Sequence, residues 1–212
     1  MEHKNTWQTV DFTDIFPNRR RNLIVGMSFP RNDGNLGLEP SILSVLPPGE
    51  NVIYCEDNRD FNDDDVMCYL CSVYIAGVEE FKEWAQRHDK NKIIVGGYHP
   101  TSFPEGFKND AYKIVQGPCD NIYDTVKQPG QIVSGISTYK NAPRYDLYDI
   151  TKNQQIIPDK QVDDICTSIN TSIGCPYKCD FCCSPVMCPK LVSKPLELVK
   201  NEVAILQTYD RS

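Results

Sequence analysis

No run of about 18 consecutive apolar residues occurs in this 212-residue chain, so the sequence offers no membrane-spanning helix. Its first residues, Met1-Glu2-His3-Lys4-Asn5-Thr6, lack the apolar core of a secretory signal. Basic residues are not in excess. The 22 Lys and Arg stand against 29 Asp and Glu, a formal net charge of −7, so the basic footprint of a nucleic-acid binder is missing. No G-x-G-x-x-G follows the first apolar run, which removes the dinucleotide fingerprint. The acidic stretch 56–65 holds Glu56, Asp57, Asp60, Asp63, Asp64 and Asp65, but its oxygens lack EF-hand spacing and it reads as a solvated loop. What remains is an ordinary globular composition, 40% hydrophobic and 24% charged. Neither a membrane nor a nucleic acid is expected as a partner.

Cysteine, by contrast, is plentiful, with 10 in the chain. Cys166, Cys175, Cys179, Cys182, Cys183 and Cys188 crowd together, while Cys55, Cys68, Cys71 and Cys119 are scattered upstream. Clustering of that kind suits a metal site in a reducing cytoplasm better than a disulfide framework. The scattered cysteines lie mostly in apolar, strand-like contexts, where a buried thiol acts as a small hydrophobe.

Residues 1–21 form a lead-in ending in Arg19-Arg20-Arg21, read as solvated. A buried strand follows at 22–27, then a helix over 38–46 with Pro40 in its first turn, stopped by Pro47-Pro48-Gly49. Strands are predicted at 52–55 and 66–75, and a helix over 78–88 with Val78, Phe81, Trp84 and Ala85 on one face. His88 meets the end of that helix and its dipole, with no catalytic role. Residues 93–95 run into Gly96-Gly97, a place where a ligand can approach the backbone closely. A short helix at 104–109, a strand at 112–116, a helix at 120–126 and an edge strand at 132–133 complete the pattern. Strands alternating with helices predict an α/β domain, a parallel sheet covered on both faces. Its ligand loops are expected at 28–34, 74–77, 96–101 and 117–120, at the carboxyl ends of the strands. Residues 137–164 read as a linker. A second domain then opens with a strand over 163–171. An amphipathic helix over 196–207 carries Leu196, Val199, Val203 and Leu206 on one face, with Pro195 in its first turn. The expected divisions are thus 1–21, 22–136, 137–164 and 165–212.

The chemistry is expected in Gly174-Cys175-Pro176-Tyr177-Lys178-Cys179-Asp180-Phe181-Cys182-Cys183. Cys175, Cys179 and Cys182 form C-x-x-x-C-x-x-C, a spacing that can bring three thiolates to one iron–sulfur cluster and leave one iron open. Tyr177 and Phe181 flank the loop and can shield such a cluster from water. Two other readings stand beside it: a zinc site, or a closed four-cysteine cluster completed by Cys183 or Cys188. The loop closely resembles the signature of the radical SAM enzymes, with Phe181 at the aromatic position. That resemblance implies that Cys175, Cys179 and Cys182 ligate a [4Fe–4S] cluster. The open iron would chelate S-adenosylmethionine, which an electron would cleave to methionine and a 5′-deoxyadenosyl radical.

The domain upstream resembles the cobalamin-binding domain of one large radical SAM class. The likeness runs through Gly96-Gly97-Tyr98-His99-Pro100-Thr101, Val115-Gln116-Gly117 and Pro143-Arg144-Tyr145-Asp146. It implies a Rossmann- or flavodoxin-like doubly wound parallel sheet, followed by the first βα unit of a partial TIM-type barrel. It also implies cofactor contacts from Ser72, Gly96, Gly97, Tyr98, His99 and Gly117. Of these, His99 reads as a residue that holds its loop in preference to a cobalt ligand. Two departures stand out: Gly117-Pro118-Cys119-Asp120 replaces the class's frequent Gly-Glu-Gly-Glu, and the Asp-x-His-x-x-Gly motif that gives a histidine to cobalt elsewhere is absent.

The resemblance implies a cytoplasmic enzyme that cleaves S-adenosylmethionine reductively, with cobalamin-dependent methyl transfer as the favoured chemistry. Its implied partners are a reductant protein such as flavodoxin or ferredoxin. The stretch after Cys166 accounts for one strand, one loop and one helix of a barrel. The sequence therefore reads as the amino-terminal part of the enzyme, inactive alone, with the rest of the barrel expected as a further segment or a separate chain. The rival expectation is a non-catalytic α/β binding module carrying structural zinc or a relict cluster.

Overall fold

The run Leu-Ile-Val-Gly-Met-Ser-Phe has no charged residue to keep either face in water, and it forms the inner strand β1 (Leu23–Phe29). The computed structural model describes residues 15, 23–30, 41–49, 51–138, 142–148, 169–182, 184–188 and 190–208. Beside β1 lie β2 (Val52–Cys55) and β3 (Val66–Val73); β4 (Ile93–Gly96), β5 (Lys113–Gln116) and β6 (Ile132–Ser134) follow outward. The six strands are all parallel, in the order β2-β1-β3-β4-β5-β6. All eight residues of β3 are buried, as a parallel strand covered on both faces must be.

Alternate residues feed two cores. Ile24, Leu70, Ile94 and Val115 face Ile42, Leu43 and Ile122 on one side, while Val25, Met27, Cys71 and Val95 face Phe81, Trp84 and Phe107 on the other. Phe81 and Trp84 belong to α1 (Val78–Ala85), and Phe29 meets Phe81 edge-on with centroids 5.4 Å apart. The two remaining helices of the sheet region are short, α2 (Tyr98–Ser102) and α3 (Ile122–Lys127). Because the chain passes from β1 outward to β2 and then back to β3, connections diverge at the β1–β3 boundary.

Several expectations change in three dimensions. The helix expected over 38–46 is, where described, a single 3-10 turn at Ser41–Ser44; the Leu43 carbonyl accepts from the Arg144 amide instead of extending a helix. The stretch 96–101, expected as a loop, winds into α2, and 104–109 supplies only the 3-10 turn Pro104–Phe107. Part of the expected linker packs on the sheet. Tyr145 and Tyr148 enter the first core, and the buried Arg144 guanidinium donates to the carbonyls of Pro47 (2.5 Å) and Gly49 (3.4 Å) while pairing with Asp146 at 2.8 Å.

Beyond the linker, β7 (Ser172–Ile173) pairs antiparallel with β8 (Val192–Ser193), and the cysteine segment is the long excursion between them. The described residues form a two-stranded ribbon here. Within the excursion sits α4 (Ser184–Met187), and after the ribbon α5 (Leu196–Leu206) runs as expected, with Pro195 as its cap residue. Leu206 and Ile205 reach the first core. Arginines 19–21, residues 163–168 of the expected strand, residues 31–34 of the first ligand loop, Cys166 and Cys183 lie outside the described residues. Among the described residues no helix is long and apolar enough to cross a membrane.

Candidate functional site

At the carboxyl ends of β3, β4 and β5 the sheet opens into a cavity of about 400 Å³. Leu70, Ile94 and Val115 make its apolar floor, and Ser72, Gly96, Gly97, Tyr98 and Gly117 all line it. Five of the six cofactor positions expected from sequence therefore converge on one space. They do so because Ser72 and Gly96 are register partners on adjacent strands, and Gly97 and Gly117 begin the turns that follow β4 and β5.

Gly97 is required by its own backbone. Its φ of 101° and ψ of −167° fall where only glycine is at ease, and a Cβ there would stand 2.9 Å from both Ser72 Oγ and Val73 N. So this glycine lets α2 press on β3 while it lines the cavity. Thr101 ties the same corner together: its hydroxyl donates to Gly97 O (2.7 Å) and accepts from Gly117 N (3.0 Å), and Gln116 Nε2 donates to Thr101 O at 3.0 Å.

Tyr98 and His99 part company. Tyr98 is 56% exposed at the rim and stacks on Tyr74 with centroids 5.4 Å apart. His99 turns to Phe103 and Phe107, centroids 5.4 and 5.8 Å away, and does not line the cavity.

The cysteine segment forms the opposite wall. Ile173 and Gly174, just before Cys175, and Ser184, Met187 and Cys188, just after Cys182, face the cavity. Ser102 Oγ on α2 approaches Met187 Sδ at 3.6 Å. Gly174, at φ 92°, leaves no room for a side chain, since a Cβ would overlap the Lys190 carbonyl. Met187, Cys119 and Thr101 were not singled out as site residues from sequence. Only Thr101 carried a local signal, its place in the glycine loop; the other two reach the cavity through the path of the chain.

The three expected metal ligands lie outside the core. Cys179 is exposed, Cys175 and Cys182 are half-buried, and all the described cysteines are free. A tight turn joins two of them, with the Cys182 amide donating to Cys179 O at 3.0 Å. Hydrogen bonds from the Ser184 hydroxyl, and from its amide at 3.4 Å, pull the Cys182 thiol below its ordinary pKa, which favours the ligating thiolate. Burial instead pushes the Cys188, Cys119 and Cys71 thiols up, which favours their protonated form. As placed, the loop is open: among the described residues no three His, Cys, Asp or Glu side chains stand together as a metal site. The donor set nonetheless fits a thiophilic metal or cluster in kind, being three free, accessible thiols within eight residues. Tyr177 is 72% and Phe181 93% exposed.

Compared with protein-family models, with curated proteins and with solved structures, the chain matches none.

Proposed function

We propose that this protein is a radical SAM iron–sulfur enzyme of the class with a cobalamin-binding-like domain. The observation that carries the reading is the loop Cys175-x-x-x-Cys179-x-Phe181-Cys182, three free thiols held outside the core on stems that wall a cavity at the strand ends. When bound, a [4Fe–4S] cluster supplies the electron for reductive cleavage of S-adenosylmethionine at its open iron. Cys175, Cys179 and Cys182 would hold it, and the Ser184 hydrogen bonds favour the Cys182 thiolate. The sheet domain, read as flavodoxin-like from the order β2-β1-β3-β4-β5, offers the cavity lined by Ser72, Gly96, Gly97, Tyr98 and Gly117 to the uncharged base that ends the nucleotide tail of a cobalamin. Methyl transfer to an unactivated carbon is the reaction class this combination serves. Free thiols throughout the described chain favour a reducing cytoplasm and a flavodoxin- or ferredoxin-type electron donor.

Anaerobic reconstitution with iron and sulfide, followed by EPR of the reduced protein with and without S-adenosylmethionine, tests the cluster. A four-iron signal that changes on adding S-adenosylmethionine is expected. Zinc with no cluster would overturn the radical reading in favour of an α/β binding module. Visible-light titration with hydroxocobalamin tests the sheet domain separately, with binding lost in Gly117→Trp, whose ring would fill the cavity's rim.

A further inference from the structure

The cysteine loop and the cavity share their walls. Residues 175–182 are the outer tip of the excursion between β7 and β8, with Cys179, Tyr177 and Phe181 in solvent. The two stems of that tip are seated. On the incoming side, Ile173 pairs with Val192 across the ribbon, and Lys194 N donates to Thr171 O at 2.8 Å. On the outgoing side, the Cys188 amide closes α4 on Ser184 O at 2.8 Å, and Met187 leans on Ser102 and lies over Gly117. Both stems line the same cavity, Ile173 and Gly174 from one and Ser184, Met187 and Cys188 from the other. Anything that fills the cavity therefore touches both stems at once.

The lining states what kind of group that is. None of the described lining residues is Asp, Glu, Lys, Arg or His. The helices at its edge, α2 and α3, have only five and six residues, too short to offer an anion site. Aliphatic side chains, the sulfur atoms of Cys71, Cys119, Met187 and Cys188, the Tyr98 ring, the Asn170 carboxamide and the hydroxyls of serines and Thr101 line it. A buried phosphate or carboxylate would find no counter-charge, whereas a polarizable apolar ring would find a matching surface.

We propose that the cavity is the control site of the cysteine loop: an uncharged, largely apolar ligand group seated there locks the two stems and raises the loop's affinity for a thiophilic metal. The inference rests on the reading of Cys175, Cys179 and Cys182 as metal ligands. An occupant favours the closed loop by the difference between its affinities for the two loop states, and by linkage a metal in the loop tightens the cavity equally.

Cobalt(II), whose thiolate absorption reports binding, serves as the metal probe on the full chain under anaerobic conditions. In the unaltered protein, cobalt(II) should slow amide hydrogen exchange at the stems and also across the cavity, at residues 96–101 and 117–119. Cys119→Phe, which places an uncharged ring in the cavity, should tighten cobalt(II) binding by about fivefold, the low end of ordinary coupling. Should Cys119→Phe fail to fold, the exchange measurement on the unaltered chain decides the matter. Cobalt(II) bound at the loop with exchange at 96–101 and 117–119 unmoved would overturn the coupling alone. No cobalt(II) binding at the loop would overturn the metal reading and the coupling with it. Indole and indole-3-carboxylate then test the occupant's charge by thermal shift: indole should raise the melting temperature, and stabilisation by the carboxylate alone would overturn the uncharged class.

Discussion

A single hydroxyl holds the corner on which the candidate site is built. Thr101 Oγ1 gives its proton to Gly97 O and receives one from Gly117 N, so it joins the turn after β4 to the turn after β5. Thr101→Val keeps the shape and removes both bonds, leaving the Gly117 amide without its acceptor at a cost of about 1–3 kcal/mol. Thr101→Ser should recover most of that loss, and urea melts of the three proteins measure it. His99, two residues earlier, shows why residue type alone misleads. An imidazole beside a glycine pair invites a cofactor role, yet rotation along α2 carries it to Phe103 and Phe107, away from the cavity that Tyr98 lines.

At the scale of elements, the acidic stretch 56–65 is a latch and not a free loop. Asp63 accepts from the Tyr69 hydroxyl (2.7 Å) and lies 2.8 Å from His88 Nδ1, while Asp60 lies 3.2 Å from His88 Nε2 and pairs with Arg87 at 3.0 Å. The His88 side chain, 2% exposed, stacks on Trp84 at 4.4 Å, so the stretch is clamped to the end of α1. Hydrogen bonds from Arg87, with His88, hold the Asp60 carboxyl below its usual value. For Asp63, burial pushes upward, but bonds from Tyr69, His88 and the Asp89 amide outweigh it and hold this carboxyl low too. Carboxyls lowered in the fold contribute stability that is complete above their unfolded value near 4 and is lost as pH falls through the lowered folded value. Asp63→Asn should therefore cost about 2 kcal/mol at pH 7, and the difference from the unaltered protein should shrink toward about pH 2. Urea melts across that range show it.

The α5 helix depends on a buried pair. Lys194 Nζ lies 2.6 Å from Glu202 Oε1, with the Glu202 side chain wholly buried. The other carboxyl oxygen finds no hydrogen-bond partner among the described residues, and burial pushes the carboxyl's pKa up against the pull of Lys194. Lys194→Met strands that carboxylate and should destabilise α5 by about 3 kcal/mol, read as accelerated hydrogen exchange across Leu196–Leu206.

For the whole molecule, the sheet's stability and the cysteine chemistry are separable. The cores hold Val25, Phe29, Leu70, Trp84 and Ile114, and none of the three loop cysteines belongs to them. Cys179→Ser should leave the apoprotein's stability within about 0.5 kcal/mol and still lower the iron retained after reconstitution, measured by elemental analysis beside a thermal melt. Exposed Phe181, Leu191 and Leu196 lie in the same carboxyl-terminal region, so apolar surface accompanies the thiols there.

The sheet was legible in the sequence because parallel strands covered on both faces are built around apolar residues, and six short runs with such centres stood apart with helices or turns between them. The cysteine spacing was legible because tight ligand geometry is written in local order. Short elements were not: α2, the 3-10 turn at Ser41–Ser44 and the β7–β8 ribbon carry too few residues for a period to declare itself, and tertiary hydrogen bonds decided them. Nor could local order say that Arg144 would reach back to Pro47, or that both stems of the cysteine loop would wall the cavity. Those placements follow from burying Tyr145, Ile205 and Leu206 against a sheet made more than a hundred residues earlier in part. The sequence by itself determined the sheet's strands and the three thiols. Only the tertiary structure decided that the stems beside those thiols wall a cavity at the strand ends, because hydrophobic burial between distant segments, not local pattern, sets where the second segment lies on the first.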